Sequence, residues 1–257
     1  MKRTLLSLAL LGTLSSLPML SMAADASATG PIRNVVLVHG FYADGSGWNK
    51  VIERLQKAGL HVTAVQNPLI SWEEELAATR RALDMQDGPT VLVGHSWAGT
   101  VISETGNDPK VKSLVYVAAR APDAGEDFAA LAKQYPATPV STGLVKFNGF
   151  TQLSEQAFVH DFAGDLPESE ARAMYASQGR VADSLYTART TQAAWHDKPS
   201  WYAVSSEDRT TSPDLERFLA KRMNAHTVEL KSSHVSMLSH PDEIANLILT
   251  AAGQKHP

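Results

Sequence analysis

Apolar runs and amphipathic stretches alternate along most of this 257-residue chain. Residues 34–38 form a short β-branched run that ends at His39-Gly40, the pattern of a strand buried on both faces. Residues 48–58 follow, with Trp48, Val51, Ile52, Leu55 and Ala58 on one helical face and Gly59 as the stop. Residues 61–65, 90–93, 111–118, 200–204 and 226–230 predict five further strands. Between them lie helical patterns. Residues 72–85 place Glu73, Glu74 and Glu75 near the start, where the helix dipole favours acids. Residues 212–223 have Ser212 at the N-cap and Pro213 at the first helical position. Residues 241–252 close the chain as a helix. The alternation predicts an α/β fold: a mainly parallel six-stranded sheet flanked by helices.

One stretch breaks that rhythm. Residues 121–198 show no strand pattern, only aromatic, Ala-rich and acidic helix-like pieces at 127–135, 154–162 and 168–178. This predicts a helical cap inserted into a single domain spanning 32–257. Ligands bind at the carboxyl ends of parallel strands, so a cap there would supply the substrate pocket.

The N-terminus is a separate object. Lys2 and Arg3 precede an apolar stretch over 5–20, and Ser21-Met22-Ala23 offers small residues for a signal peptidase. The stretch is short for a membrane span and is interrupted by Pro18 and Ser21. Residues 1–23 therefore read as a cleaved signal peptide and 24–31 as a flexible lead-in. A periplasmic or secreted protein without a stable membrane anchor is expected. The composition, 44% hydrophobic and 19% charged, is that of a globular domain. A net charge of -4 offers no basic field for nucleic acid. The chain has no cysteine, which excludes disulfides, thiolate catalysis, Cys-based zinc sites and a lipoprotein anchor.

Four segments carry chemistry. The run TVLVGHSWAG at 90–99 delivers Ser96 from a strand into a helix through a tight turn that demands small neighbours. Gly94 meets that demand on one side; on the other, Ala98 stands where glycine is usual, with Gly99 next. The loop after the first strand, from His39-Gly40-Phe41 to Trp48, is glycine-rich. It offers the Phe41 N–H as one donor to a tetrahedral oxyanion, with the Trp97 N–H as the other. An unactivated serine needs a base, and nine histidines compete for the role. His234 lies just past the last strand. His39 and His95 adjoin the oxyanion loop and the nucleophile and, with Gly40, are expected to line or buttress the substrate site. His240 reads as a helix-entry residue. An acid must orient the imidazole, and Asp208 follows the fifth strand. Adjacent Glu207 is expected to point elsewhere, and Asp123, after the fourth strand, is the rival.

Oxyanion loop, serine, acid and histidine in that order, each at a strand's carboxyl end, is the chain order of α/β-hydrolases. Over nearly all of 32–252 the sequence resembles that superfamily, on NVVLVHGF, VLVGHSWAG, SSEDRT and SSHVSMLSHP. The loop pattern HG-xxx-DG-x-G-W resembles the small esterase and hydroxynitrile-lyase branch, which includes plant methylesterases. The resemblance implies Ser96, Asp208 and His234 as a triad, with Phe41 and Trp97 as oxyanion donors. Lyases of that branch carry lysine directly after the triad histidine. Val235 stands there, which favours ester hydrolysis.

The expectation is a cofactor-free, metal-free serine hydrolase acting on a small-molecule carboxylic ester through an acyl-enzyme. Its rivals are another bond on the same triad (lactone, amide, carbon–carbon), perhydrolysis, and a ligand-binding module of low turnover. The bulky Trp97 is expected to shape the pocket. Tyr135, Phe147, Phe150, Phe158, Phe162 and Tyr175 are its candidate apolar lining, weighed against ordinary core packing.

Overall fold

The computed structural model describes residues 31–254; the expected signal peptide at 1–23 and all but the last residue of the lead-in lie outside the described residues. β1 (Asn34–Val38), α1 (Asn49–Lys57), β2 (His61–Val65), α2 (Trp72–Asp84), β3 (Thr90–His95), α3 (Ala98–Thr105) and β4 (Val111–Val117) alternate strictly. The chain then leaves the sheet for α4 (Phe128–Ala132), β5 (Leu144–Phe147), β6 (Phe150–Leu153), α5 (Glu155–Ala157), α6 (Glu168–Ser177) and β7 (Val181–Ala182). It returns with β8 (Ser200–Ser205), α7 (Pro213–Arg222), β9 (His226–Leu230), α8 (Ser236–Ser239) and α9 (Pro241–Ala251). All six expected strands form, each within two residues of the bounds read from the sequence.

The six strands make one parallel sheet in the order β2-β1-β3-β4-β8-β9. Every residue of β1 and of β3 is buried, which is why they read as unbroken apolar runs rather than alternating ones. α1 packs with α9 and α2 packs with α3, flanking the sheet. The edge strand β9 is mostly exposed. Its Glu229 pairs with Arg217 of α7 at 2.7 Å, a charged edge that discourages further pairing.

Between β4 and β8 the expected helices form, and the structure adds a three-stranded antiparallel sheet, β5-β6-β7, that the sequence reading did not contain. A two-residue turn joins β5 to β6, with Asn148 at φ 47° and Gly149 at φ 79°. Both central residues are left-handed, as a type I′ hairpin requires, and Asn-Gly is the sequence signal for it. Residues 158–162 close a π-helical turn after α5.

Sheet order also positions the loops that matter. Chain direction across the sheet reverses at β1 and β3, which are neighbours in register Val38↔Gly94. Such a switch point opens a crevice at the carboxyl ends of the strands. The loop after β1 and the turn after β3 therefore meet, and a Cβ on Gly40 would lie 2.7 Å from the Ser96 Cβ. Ser96 itself has φ 55°. Its carbonyl accepts from the N–H of Gly99 at 3.1 Å and of Arg120 at 2.9 Å, locking the turn against the strand following it. A Cβ on Gly94 would lie 2.9 Å from the Ala98 oxygen, and one on Gly99 only 1.8 Å from the Arg120 oxygen. The steric demand beyond the serine thus falls on position 99, which explains the tolerance of alanine at 98. Gly99→Ala is accordingly expected to destabilise the fold by about 3 kcal/mol or more, as overpacking does at its worst. Ala98→Gly is expected to cost about 1 kcal/mol, the helix-propensity difference. Urea denaturation of the two variants measures this, and equal losses would refute the steric account.

Candidate active site

Three turns at the carboxyl edge of the sheet, after β3, β8 and β9, bring Ser96, Asp208 and His234 together. Ser96 Oγ lies 2.7 Å from His234 Nε2, and His234 Nδ1 lies 2.5 Å from Asp208 Oδ2. The imidazole and the carboxylate are both fully buried. With Nδ1–H donating to the carboxylate, Nε2 is left as the acceptor for the serine hydroxyl. The second Asp208 oxygen accepts the backbone N–H of Thr210 at 2.6 Å and of Thr211 at 2.9 Å. Both oxygens are therefore satisfied, as a buried carboxylate requires. Such a hydroxyl–imidazole–carboxylate relay can draw a proton off the serine as the oxygen attacks an electrophile.

Around the relay stand side chains that hold it. His95 Nε2–H donates to the His234 carbonyl at 2.9 Å, and the two rings lie 4.8 Å apart. Burial, reinforced by the neighbouring His234, keeps His95 well below the ordinary histidine range and hence neutral. His39 accepts the Asn67 N–H on Nε2 at 2.9 Å and donates from Nδ1 to the Gly40 carbonyl at 2.9 Å. Burial lowers its pKa too. Both histidines were expected to line or buttress the site. Their bonds brace the backbone: both rings are buried and His39 has both ring nitrogens engaged, while His95 Nδ1, beside Gly40, has no partner among the described residues.

Two further acids escape any sequence signal because tertiary packing alone brings them here. Asp165, in the cap, accepts the Ser233 N–H at 2.9 Å and the Ser233 hydroxyl at 2.5 Å, tying the His234 loop to the cap. Glu216 of α7 is fully buried and accepts the Ser205 N–H at 2.9 Å. Burial, and then the charge of Asp208, push its carboxyl well above the ordinary range, so it holds its proton.

The Phe41 and Trp97 backbone N–H groups make no hydrogen bond to another described residue, and so are available to an oxyanion. The Trp97 ring is buried, stacked on Phe41 at 4.5 Å and set edge-on to Trp72 at 6.0 Å. The rival acid Asp123 pairs instead with His196 at 3.1 Å on the surface, and Glu207 faces Lys231 at 3.6 Å. Val235 is fully buried. Of the six aromatic residues considered for the pocket, Phe162 packs on His234 at 5.2 Å. Phe158 and Tyr175 pack on each other, Tyr135 packs on Phe218, and Phe147 is 71% exposed at the hairpin tip. No group of three or more His, Asp or Glu among the described residues is arranged to hold a metal ion. No described helix is long and apolar enough to cross a membrane.

Comparison with known proteins places this architecture. The α/β hydrolase family profile matches residues 35–247. An α/β hydrolase, nvfD, of Aspergillus novofumigatus is 26% identical over 243 residues, 86% of this chain and 96% of its own length. A carbendazim-hydrolysing esterase of a Nocardioides species is 32% identical over 114 residues, 38% of this chain and 46% of that enzyme. Among solved structures, polyneuridine aldehyde esterase superposes with a TM-score of 0.74 at 19% identity, covering 85% of this chain and 98% of the esterase. The chain belongs to the α/β hydrolase family.

Proposed function

We propose that the protein is a serine carboxylesterase working through an acyl-enzyme. The observation that carries the reading is the unbroken relay from Ser96 Oγ to His234 Nε2 at 2.7 Å and from His234 Nδ1 to Asp208 at 2.5 Å. The two relatives named as esterases support it.

In this reading Ser96 Oγ attacks the ester carbonyl while its proton passes to His234 Nε2. Negative charge develops on the carbonyl oxygen, where the Phe41 and Trp97 N–H groups receive it, an arrangement worth several kcal/mol in the transition state. Collapse of the tetrahedral species expels the alcohol, which takes the proton back from Nε2. Water, deprotonated by the same imidazole, then releases the acid and restores the serine. Asp208 holds the tautomer and offsets the charge of the imidazolium. A neutral His95 serves this cycle, because a second cation 4.8 Å away would oppose the imidazolium. The stretch over residues 1–23 leads us to propose export as well, with cleavage after Ala23.

Three outcomes test these statements. Ser96→Ala is expected to bring hydrolysis of short 4-nitrophenyl esters down by about 10⁶-fold and to abolish labelling by a fluorophosphonate probe; undiminished turnover in the variant defeats the assignment. Glu216→Gln tests the buried proton. Folding raises the Glu216 carboxyl above its ordinary 4.5, so the site's contribution to stability is complete below that pH. It declines as pH rises towards the folded value. The neutral variant lacks that decline, so its melting temperature relative to wild type is expected to rise from pH 5 to pH 8, whereas a constant gap contradicts a retained proton. Finally, N-terminal sequencing of the protein from a periplasmic or medium fraction should begin at Ala24; an intact Met1 in that fraction would disprove the cleavage.

A further inference from the structure

Arg120 sits just past β4, with its N–H held by the Ser96 carbonyl at 2.9 Å. Its guanidinium carbon lies 5.6 Å from the centroid of the Phe41 ring and 5.1 Å from that of Phe128 in α4. Phe41 belongs to the oxyanion loop, and its ring also contacts Tyr186 at 5.1 Å. The Tyr42 and Tyr186 hydroxyls are hydrogen-bonded to each other and act electrostatically on the same guanidinium.

This cation is half-buried, yet its side chain makes no ion pair and no hydrogen bond among the described residues. Other arginines are served differently. Arg222, shielded to a similar degree, pairs with Glu126 at 2.7 Å. Arg33, Arg80 and Arg81 lack a carboxylate but are exposed, where water answers them. Asp183, the acid that acts on both tyrosines, is held by Thr151 Oγ1 at 2.5 Å and makes no ion pair with Arg120. Burial pushes the Arg120 pKa down only to about 10, so the group remains cationic at neutral pH. A guanidinium partly withdrawn from water carries a charge and five N–H donors, and leaving them unanswered is costly. Aromatic faces satisfy part of the charge but none of the in-plane donors.

The position of this charge matters as much as its isolation. It lies over the ring of Phe41, one of the two residues assigned to the oxyanion hole, and over the ring of Phe128 in α4. Phe128 and Tyr186 also line a surface depression of about 170 Å³ with Lys133 and with Asp127 and Arg189, which pair with each other at 2.7 Å, so Lys133 adds one further cation to the region.

We propose that Arg120 receives a carboxylate carried by the substrate, so that the preferred substrates are esters with an anionic group near the scissile carbonyl, such as half-esters of short dicarboxylic acids. The proposal rests on the hydrolase reading above and narrows its substrate class. A carboxylate presented to the guanidinium edge would accept two parallel N–H bonds. The flanking rings would shelter that pair from water, which strengthens it.

The experiment compares the 4-nitrophenyl half-ester of glutaric acid with neutral 4-nitrophenyl valerate, in wild type, Arg120→Met and Arg120→Lys. Wild type is expected to favour the half-ester in kcat/KM. Arg120→Met is expected to cut the ratio of the two kcat/KM values by about 10- to 100-fold, the effect of removing a charge-assisted pair. Arg120→Lys, which keeps the charge and loses the bidentate edge, should fall between. An unchanged ratio in Arg120→Met overturns the proposal, as does a wild type that disfavours the half-ester. A second arm is independent of turnover: glutarate is titrated calorimetrically into Ser96→Ala protein with and without Arg120→Met. Binding lost with the arginine supports the anion site even if the esterase reading fails; equal binding to both refutes the site even if hydrolysis stands.

Discussion

A serine backbone held at φ 55° between the end of β3 and the start of α3 is the constraint around which the rest of the molecule is arranged. Left-handed geometry at a residue with a side chain costs on the order of 1–3 kcal/mol, and it persists only where the surroundings over-determine it. Here the carbonyl of Ser96 is fixed by two N–H donors, and the absence of side chains at 94 and 99 lets helix, strand and following loop close to contact distance. A parallel strand on each side of β3, β1 buried throughout and β4 at all but one residue, supplies the rigidity that this turn needs.

A second level of order concerns the imidazole. Its two nitrogens are engaged by Ser96 and Asp208, its carbonyl by His95, and its ring face by Phe162. The residue before it is gripped by Asp165 from the cap. The cap is thus more than a cover. It shares hydrogen bonds with the loop that carries His234, so displacement of one is felt by the other.

Much of this was legible in the sequence, for identifiable reasons. Strands such as 34–38 and 90–95 are buried on both faces, and short apolar runs rich in valine record that burial. Ser96, Asp208 and His234 could be selected because each lies within a few residues past the end of a strand, and strand ends survive in sequence as the point where an apolar run stops. The cap was harder. Its hairpin is only four residues a side, and the Asn148-Gly149 signal was present but passed over in favour of helix-like composition. Asp165, Glu216 and Arg120 left no trace, because what distinguishes them is a neighbour dozens of residues away. The same holds for His39 and His95. Their closeness to Ser96 was readable, but the bonds by which they brace the backbone, with Asn67 and the carbonyl of His234, were not.

The bond from the Arg120 N–H to the Ser96 carbonyl separates two kinds of evolutionary freedom. It is made by main chain alone, so any residue except proline at position 120 can make it. Whatever side chain stands there starts from the same spot, with its main chain in fixed register with Ser96. The side chain at this position can therefore change one codon at a time while the turn that holds Ser96 is inherited intact.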